Sequence, residues 1–174
     1  VLVLADVRDI FENDSAVLHG SIIDIGRLDT HQLTIDWQDV NDTAMTIFNL
    51  EPMFSIDKSN GNLTQQLLPG DTFTSTNPND SETLLTIDTV NTVTGVITFT
   101  IQHQYLDDGI SAAPWPGANG TPFDLSTIRV TLADDDLGKT VQTDDVTVRN
   151  VTPYILPESV STTAPKCNSL PNCI

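Results

Sequence analysis

The sequence predicts an all-β protein built as an antiparallel sandwich of two sheets, and three observations support this. Apolar and polar residues alternate in several short segments, which is typical of half-buried strands. Clusters of Gly, Pro, Asn and Asp separate these segments. The acidic residues are 20 Asp and only 4 Glu. Because Asp favours turns and Glu favours helices, little helix is expected.

Seven segments have the pattern of strands. In one of them Leu33, Ile35 and Trp37 share a face, and apolar residues also fall at every second position from Ile128 to Leu132. The predicted strands are Ala16 to Ile23, Gln32 to Trp37, Thr43 to Phe48, Thr83 to Ile87, Val96 to His103, Ile128 to Ala133 and Val141 to Val148. Thr64 to Leu68 is predicted to form a helical turn or two at most. About seven strands separated by turns favour a two-sheet sandwich.

The sandwich is predicted to span residues 1–153. Two segments within it, about 50–82 and 106–125, have few apolar positions and are interpreted as long loop insertions. Residues 154–174 lose the alternation and gain Pro, Ser and Thr. They are interpreted as an extended tail or linker.

The charge of the chain excludes two kinds of partner. With 7 Lys and Arg against 24 acidic residues, the net charge is -17 and the pI is about 4.1. Phosphates of nucleic acids and anionic membrane surfaces would repel such a chain. No segment approaches the roughly 20 apolar residues that a membrane helix needs, so no membrane insertion is expected. The chain begins at Val1 without a signal-peptide pattern, which predicts a mature or excised piece.

The cysteines and the Asn-x-Ser/Thr sites favour an extracellular or cell-surface location. Cys167 and Cys173 are spaced to close a small disulfide loop, and two thiols without a nearby His make a metal site a weak alternative. A disulfide implies an oxidising compartment. Six sites for glycosylation are compatible with secretion: Asn13, Asn41, Asn62, Asn79, Asn119 and Asn150.

Five motifs follow one another between about residues 12 and 153. They are Gly20, Asp24, Gly26, Asp29 and His31; Ile35-Asp36-Trp37-Gln38-Asp39; His103-Gln-Tyr105-Leu-Asp107-Asp108-Gly109; Ile128, Val130, Asp134-Asp-Asp136 and Gly138; and Val146, Val148, Asn150 and Pro153. In this order they resemble the PKD-like modules of large secreted and surface proteins. One departure is Trp37-Gln38-Asp39-Val40, where the family usually has Trp-Gly-Asp-Gly.

This resemblance implies an immunoglobulin-like sandwich, usually present in tandem copies. Such modules act as spacers, adhesive units or protein-contact units and not as enzymes. The leading hypothesis is therefore a non-enzymatic structural or adhesive module, either one bead of a surface protein or a subunit that assembles into a fibre or surface layer. Self-assembly by strand addition through residues 1–7 or 154–160 is one hypothesis, and ordinary first-strand and linker roles are the alternative.

Several marked residues have structural interpretations. Trp37 is predicted to fill the core between the sheets. Tyr105 is predicted to be a tyrosine corner, with its hydroxyl bonded to backbone. His19, His31 and His103 lack metal-ligand spacing and are interpreted as hydrogen-bond partners in strands and loops.

Calcium is the candidate cofactor, because Ca²⁺ prefers clustered carboxylate and carbonyl oxygens. In the implied topology, two loops at one end bring together Asp24, Asp29, Asp134, Asp135 and Asp136. A second candidate cluster, near the opposite end, consists of Asp36, Asp39, Asp107 and Asp108. The alternative is that these aspartates cap turns and remain solvated.

Two other classes of function stay open. A carbohydrate-binding module is the main alternative, and Trp115, between two prolines, is the candidate contact for a sugar or partner protein. The same Trp would equally serve to hold its own loop against the sandwich. A glycosidase-like enzyme would require paired carboxylates in a cleft. No nucleophile elbow, phosphate loop or His-Glu-x-x-His motif points to catalysis.

Overall fold

The computed structural model describes residues 1–24, 26–39, 42–106 and 121–151, and the described chain is all β. Twelve strands and no helix occur in these ranges. Accordingly, none of the described residues form a helix long and apolar enough to cross a membrane. All seven predicted strand segments overlap strands of the structure, so the prediction of an all-β chain is confirmed.

The first sheet has five antiparallel strands in the order β1-β3-β10-β9-β8. Its longest pair joins β3 to β10 in continuous register from Val96 opposite Ile23 to Gln104 opposite Ser15. The strands are β1 (Leu2–Leu4), β3 (Ser15–Ile23), β8 (Thr72–Thr74), β9 (Leu84–Asn91) and β10 (Val96–Gln104).

The second sheet also has five strands, in the order β2-β12-β11-β4-β5. It is antiparallel except that β2 pairs with β12 in parallel. Its strands are β2 (Ile10–Phe11), β4 (His31–Asp36), β5 (Thr46–Leu50), β11 (Phe123–Asp134) and β12 (Lys139–Arg149). A separate two-stranded sheet pairs β6 (Phe54–Ile56) with β7 (Leu63–Gln65).

One hydrophobic core joins the two large sheets. Side chains of a strand alternate between its faces, and burial follows this period: in β4, Leu33 and Ile35 are buried whereas Gln32 is exposed. The core includes, from the first sheet, Leu2, Ala16, Leu18, Ile22, Leu85, Ile87, Ile97, Phe99 and Ile101, and from the second, Leu33, Ile35, Phe48, Leu50, Ile128, Val130, Leu132, Val146 and Val148. Gly20 lies opposite Phe99, and the ring occupies the place of a side chain at position 20. The glycine thus leaves room for the far end of the Phe99 ring beside the neighbouring strand.

The N-terminal segment contributes to both sheets of its own chain. Strand β1 pairs with β3, and the Val1 amino group donates to the Ile23 carbonyl at 2.7 Å. Val7 is buried, and its N–H donates to Asp144 Oδ2 at 2.7 Å. The chain then enters β2 beside β12. In this structure residues 1–7 therefore have the ordinary first-strand role, and strand addition through them would require β1 to leave β3.

The segment predicted as an insertion over residues 50–82 contains three short strands and part of the core. Strand β8 extends the first sheet, and Met53 and Leu67 are buried. The predicted helical turn at Thr64 to Leu68 is wrong, because Leu63–Gln65 forms strand β7 against β6. The second predicted insertion, residues 106–125, ends earlier than expected because β11 begins at Phe123.

Candidate functional site

The predicted calcium end places Asp24 and Asp29 in the loop between β3 and β4. Asp24 Oδ1 accepts the Gly26 N–H at 3.0 Å, which is an Asx turn. Asp24 Oδ2 lies 3.0 Å from Nε2 of the buried His31, but without the alignment of a hydrogen bond. The Asp29 carboxylate lies directly over Gly26, where any β-carbon would overlap it. Both aspartates therefore pack around the same glycine.

The hairpin between β11 and β12 brings the other predicted ligands to this end. Asp134 is opposite His31 in the sheet, and its Oδ1 accepts the Gly138 N–H at 2.6 Å to close the turn. The pKa of Asp29 is raised, first by burial and then by the negative charges of Asp24, Asp135 and Asp136. The structure thus brings these aspartates close enough for their negative charges to repel one another.

This convergence does not amount to a formed metal site. Within the part of the chain that the structure describes, no three His, Cys, Asp or Glu side chains are grouped so that they could hold a metal ion. The carboxylates of Asp24 and Asp134 instead accept backbone N–H groups of their own turns. The observed contacts are those of turn residues.

The second predicted cluster is divided between a turn and the interior. Asp36 accepts the backbone N–H of Gln38 at 3.1 Å and the side-chain N–H of the same residue at 2.7 Å. These two bonds hold Gln38 at a φ of 52°, a left-handed conformation at the place where PKD-like modules usually have glycine. Asp39 is buried at 4 % exposure. The other two members, Asp107 and Asp108, lie outside the described residues.

Asp39 belongs to a buried cluster of aromatic and polar side chains at this end of the core. The His103 ring stacks on Trp37, with ring centroids 4.6 Å apart and planes at 9°. It also meets the Tyr105 ring edge-on, with centroids at 4.8 Å and planes at 87°. His103 Nε2 and Asp39 Oδ2 are 3.1 Å apart, with side-chain exposures of 6 % and 2 %. We call these four residues the Trp-His-Tyr-Asp cluster.

Hydrogen bonds of the cluster connect the two sheets. Tyr105 follows β10 of the first sheet, and Trp37 follows β4 of the second. The Tyr105 hydroxyl donates to the Trp37 carbonyl at 2.8 Å. Burial and then the negative charge of Asp39 raise the pKa of Tyr105, so the hydroxyl remains a donor. The predicted bond from Tyr105 to backbone is confirmed, and it joins the two sheets. The tyrosine-corner assignment is wrong, because the acceptor lies 68 residues away and not a few residues upstream.

A chain of polar contacts extends from Trp37 to the loop before β9. Trp37 Nε1 donates to Thr46 Oγ1 at 2.8 Å, and Thr46 in turn donates to Asp80 Oδ2. The other oxygen of Asp80 accepts the hydroxyl of Thr83. Sequence reasoning missed Asp80 as a structural partner, because its only signal was the turn pattern Asn77-Pro-Asn-Asp80.

An acidic cleft of about 480 Å³ lies beside the Trp-His-Tyr-Asp cluster. Its lining includes the carboxylates of Asp42, Asp80 and Glu82, with Asp39 and His103. Asp80 is held by two hydroxyl donors and Asp39 faces His103. Both carboxylates therefore have structural partners in the folded chain.

An apolar area on the outer face of the second sheet was not predicted. Phe11 and Phe123 are both paired with Arg149, one from each side, so the three side chains share a face. Leu125 lies two residues beyond Phe123 on the same face. Their exposures are 53 % for Phe11, 48 % for Phe123 and 63 % for Leu125. We call Phe11, Phe123 and Leu125 the phenylalanine face.

The remaining predicted sites divide into exposed and undescribed residues. Four glycosylation candidates, Asn13, Asn62, Asn79 and Asn150, are exposed. His19 Nδ1 lies 2.8 Å from Thr100 Oγ1, in agreement with its predicted role in hydrogen bonding. Outside the described residues lie Asn41, Asn119, Trp115, Cys167, Cys173 and the segment 154–160.

Comparison with known proteins shows weak similarity to solved structures. No family model matches the chain, and no curated protein matches it. Among solved structures, the chain is similar to the periplasmic chaperone SfaE, with a TM-score of 0.39 and 10% sequence identity. The similarity covers 91% of this chain and 61% of the chaperone chain, so the chain spans less than two thirds of its length. A similarity of this strength assigns neither a family nor a function.

Proposed function

We propose that the chain is an immunoglobulin-like, PKD-like module with a structural or adhesive role in an extracellular or cell-surface protein. It acts without catalysis, either as one bead among others or as a subunit that assembles with its own copies. Protein is its partner, and nucleic acid is not. The arrangement of strands in the two large sheets is the observation that carries this proposal.

The strand order supports the immunoglobulin-like assignment. Immunoglobulin sandwiches have strands A, B, E and D in one sheet and G, F and C in the other. Here the order β1-β3-β10-β9 corresponds to A-B-E-D, and β12-β11-β4 corresponds to G-F-C. The switch of the N-terminal segment from β1 to β2 fits a first strand divided between both sheets.

Two buried aromatic residues add to this support. Trp37 follows β4, the strand in the C position, and is 1 % exposed in the core. Tyr105 follows β10, in the E position, and its hydroxyl bonds to backbone. Immunoglobulin domains have a core Trp on strand C and a Tyr near the connection from E to F.

Sheet edges provide a physical route for self-assembly by strand addition. An edge strand presents unpaired N–H and C=O groups to a neighbouring chain. The edge of β5 is covered, because Thr76 donates its N–H to the Ile47 carbonyl at 2.7 Å and Ser75 Oγ accepts the Ile47 N–H at 3.2 Å. Strand β1, at an edge of the first sheet, has only three residues and could be exchanged between copies.

Mechanical strength is the property that tests a structural role. Because β2 and β12 are parallel, pulling on the two chain ends loads this pair along the strands, and its bonds must break together. We expect single-molecule pulling on tandem copies of the full chain to give a resolved force peak for each module. A length gain without a force peak would contradict the structural role.

A substitution in the loaded strand pair provides the control for this measurement. Glu12 donates its N–H to the Arg149 carbonyl at 2.9 Å, and its Oε1 accepts the Val151 N–H at 2.8 Å. Glu12→Pro removes both bonds and should lower the unfolding force. Val93→Pro also removes a hydrogen bond, from the Val93 N–H to Asn91 Oδ1 at 3.0 Å, but at an exposed turn of the first sheet outside the loaded pair, so it should leave the force unchanged. Equal forces in both variants would place the mechanical resistance elsewhere.

Calcium stabilisation is a second part of the proposal, supported by the mutual repulsion around Asp29. Bound Ca²⁺ would neutralise these carboxylates and stabilise the folded state. We expect calorimetry to show a melting temperature several degrees higher in millimolar calcium than in chelator.

The variant Asp29→Asn separates calcium binding from repulsion alone. The folded-state pKa of Asp29 is raised, so its ionised form destabilises the fold at pH values above that pKa. Without calcium, Asp29→Asn should therefore raise the melting temperature slightly, by about 1 °C at low salt. It should also reduce the response to calcium. Equal melting temperatures of the wild type in calcium and in chelator would leave the aspartates as turn residues.

A further inference from the structure

The phenylalanine face groups three exposed apolar side chains around Arg149, whose guanidinium donates to Asp9 Oδ2 at 2.6 Å. Most outward positions farther along β11 and β12 are polar, among them Thr127, Asp145 and Thr147, while Val141 is 37 % exposed. Only at the end of the sheet, next to β2, do Phe11, Phe123 and Leu125 gather. On a chain with a net charge of -17, a group of exposed apolar side chains indicates a surface that another segment or molecule covers.

The C-terminal tail leaves the sheet beside this face. Asn150 donates its N–H to the Pro122 carbonyl at 3.1 Å, next to Phe123. Val151 donates its N–H to Glu12 Oε1 at 2.8 Å, next to Phe11. These two bonds fix the exit of the chain between the two phenylalanines. The 23 residues from 152 to 174 follow directly.

The composition of the tail suits an apolar surface. Its first apolar group is Tyr154-Ile155-Leu156, three residues beyond Val151. The tail contains one Glu and one Lys and therefore has no net charge, in contrast to the strongly acidic sandwich. Contact with the sheet thus brings no charge repulsion.

The reach of the tail matches the dimensions of the face. Three residues extend the chain by at most about 11 Å. Phe11 and Phe123 stand on strands either side of β12, and neighbouring strands are about 4.8 Å apart, which separates these two positions by roughly 10 Å. Tyr154 can therefore reach either phenylalanine without displacing a strand.

We propose that residues 154–156 of the same chain pack on the phenylalanine face and cover it. This inference does not rest on the proposed function. It bears on self-assembly, because a tail held on its own sheet is withheld from the sheet edge of a neighbouring copy.

A double-mutant cycle in the full chain tests the contact. The variants are Phe123→Ser, Ile155→Ser and their combination, and the readout is the melting temperature at several protein concentrations. If the tail covers the face, each single variant should lower the melting temperature by about 2–4 °C. The melting temperature of the double variant should then be little lower than that of either single variant, because both substitutions remove the same contact.

A matched control identifies effects of surface polarity alone. Ile56 is 48 % exposed, as is Phe123, but lies on the separate β6–β7 sheet. Ile56→Ser combined with Ile155→Ser should give the sum of the single effects. Additivity of Phe123→Ser and Ile155→Ser would overturn the proposal. The proposal would also be overturned if the coupling between the two substitutions increased with protein concentration while light scattering showed a doubled mass. The segment that covers the face would then belong to a second copy.

Discussion

Trp37→Ala is expected to lower the free energy of unfolding by about 3–5 kcal/mol, the usual cost of removing a large buried aromatic side chain. Trp37 is 1 % exposed and stacks on His103 at 4.6 Å. Its Nε1 also donates to Thr46, which is bonded to Asp80. The substitution thus removes a core contact, an aromatic stack and a hydrogen bond together. Chemical denaturation followed by circular dichroism measures the loss.

Two further variants make this result interpretable. Trp37→Phe keeps an aromatic ring against His103 but removes the N–H donor, so it should cost less, about 1–2 kcal/mol. It also supplies a measurable protein if the alanine variant fails to fold. Val93→Ala, at a side chain that is 79 % exposed, should change stability by less than about 0.5 kcal/mol. A Trp37→Ala loss as small as that of Val93→Ala would show that Trp37 does not hold the two sheets together.

The strands of the two sheets could be predicted because their burial is one-sided. In β4 and β10, every second residue enters the core, and this period is visible in the sequence. Trp37 was placed correctly in the core for the same reason, since it continues the buried phase of Leu33 and Ile35.

Residues 50–82 were harder to interpret because their strands are short and mostly exposed. β6, β7 and β8 have three residues each, too few for a period to emerge. Leu67 is fully buried, but no neighbouring alternation marks it as a core residue. Tertiary contact alone determines its environment.

The partners of the aspartates could not be predicted, because they depend on contacts distant in sequence. Asp39 and His103 are separated by 64 residues, and Thr46 and Asp80 by 34. Their residue types were compatible with turns and with metal sites alike. The alternative interpretation of the aspartates as turn residues fits the bonds of Asp24 and Asp134, which stay within four residues.

The phenylalanine face was missed for a different reason. Phe123-Asp124-Leu125 already alternates, but these residues were assigned to the loop insertion that was expected to end at residue 125. Phe11 lies in a two-residue strand, which no periodicity can reveal. Only the pairing of both phenylalanines with Arg149 brings them onto one surface.

Asp39→Leu is expected to destabilise the fold by about 3 kcal/mol, because it leaves a buried imidazole without its carboxylate. Asp39 and His103 are both almost fully buried, and the His103 ring is held by its stack on Trp37 and its edge contact with Tyr105. For a chain of this length, the expected loss corresponds to a fall in melting temperature of roughly 6–12 °C. Calorimetry measures the change, and Asp6→Leu, at an exposed aspartate between β1 and β2, is the control for removing a negative charge.

The double variant Asp39→Leu with His103→Phe decides what the buried pair contributes. Phenylalanine retains a flat ring between Trp37 and Tyr105 but needs no hydrogen-bond partner, so the second substitution should recover most of the stability lost in the first. Recovery would mean that the cost of Asp39→Leu lies in the unpaired imidazole, and that the Trp-His-Tyr-Asp cluster is stabilised mainly by its stacked rings. If the double variant is as unstable as the sum of the single variants, the Asp39 carboxylate must stabilise this end of the core through contacts other than His103. In that case the carboxylate, and not the aromatic stack, determines how the chain after β4 packs against β10.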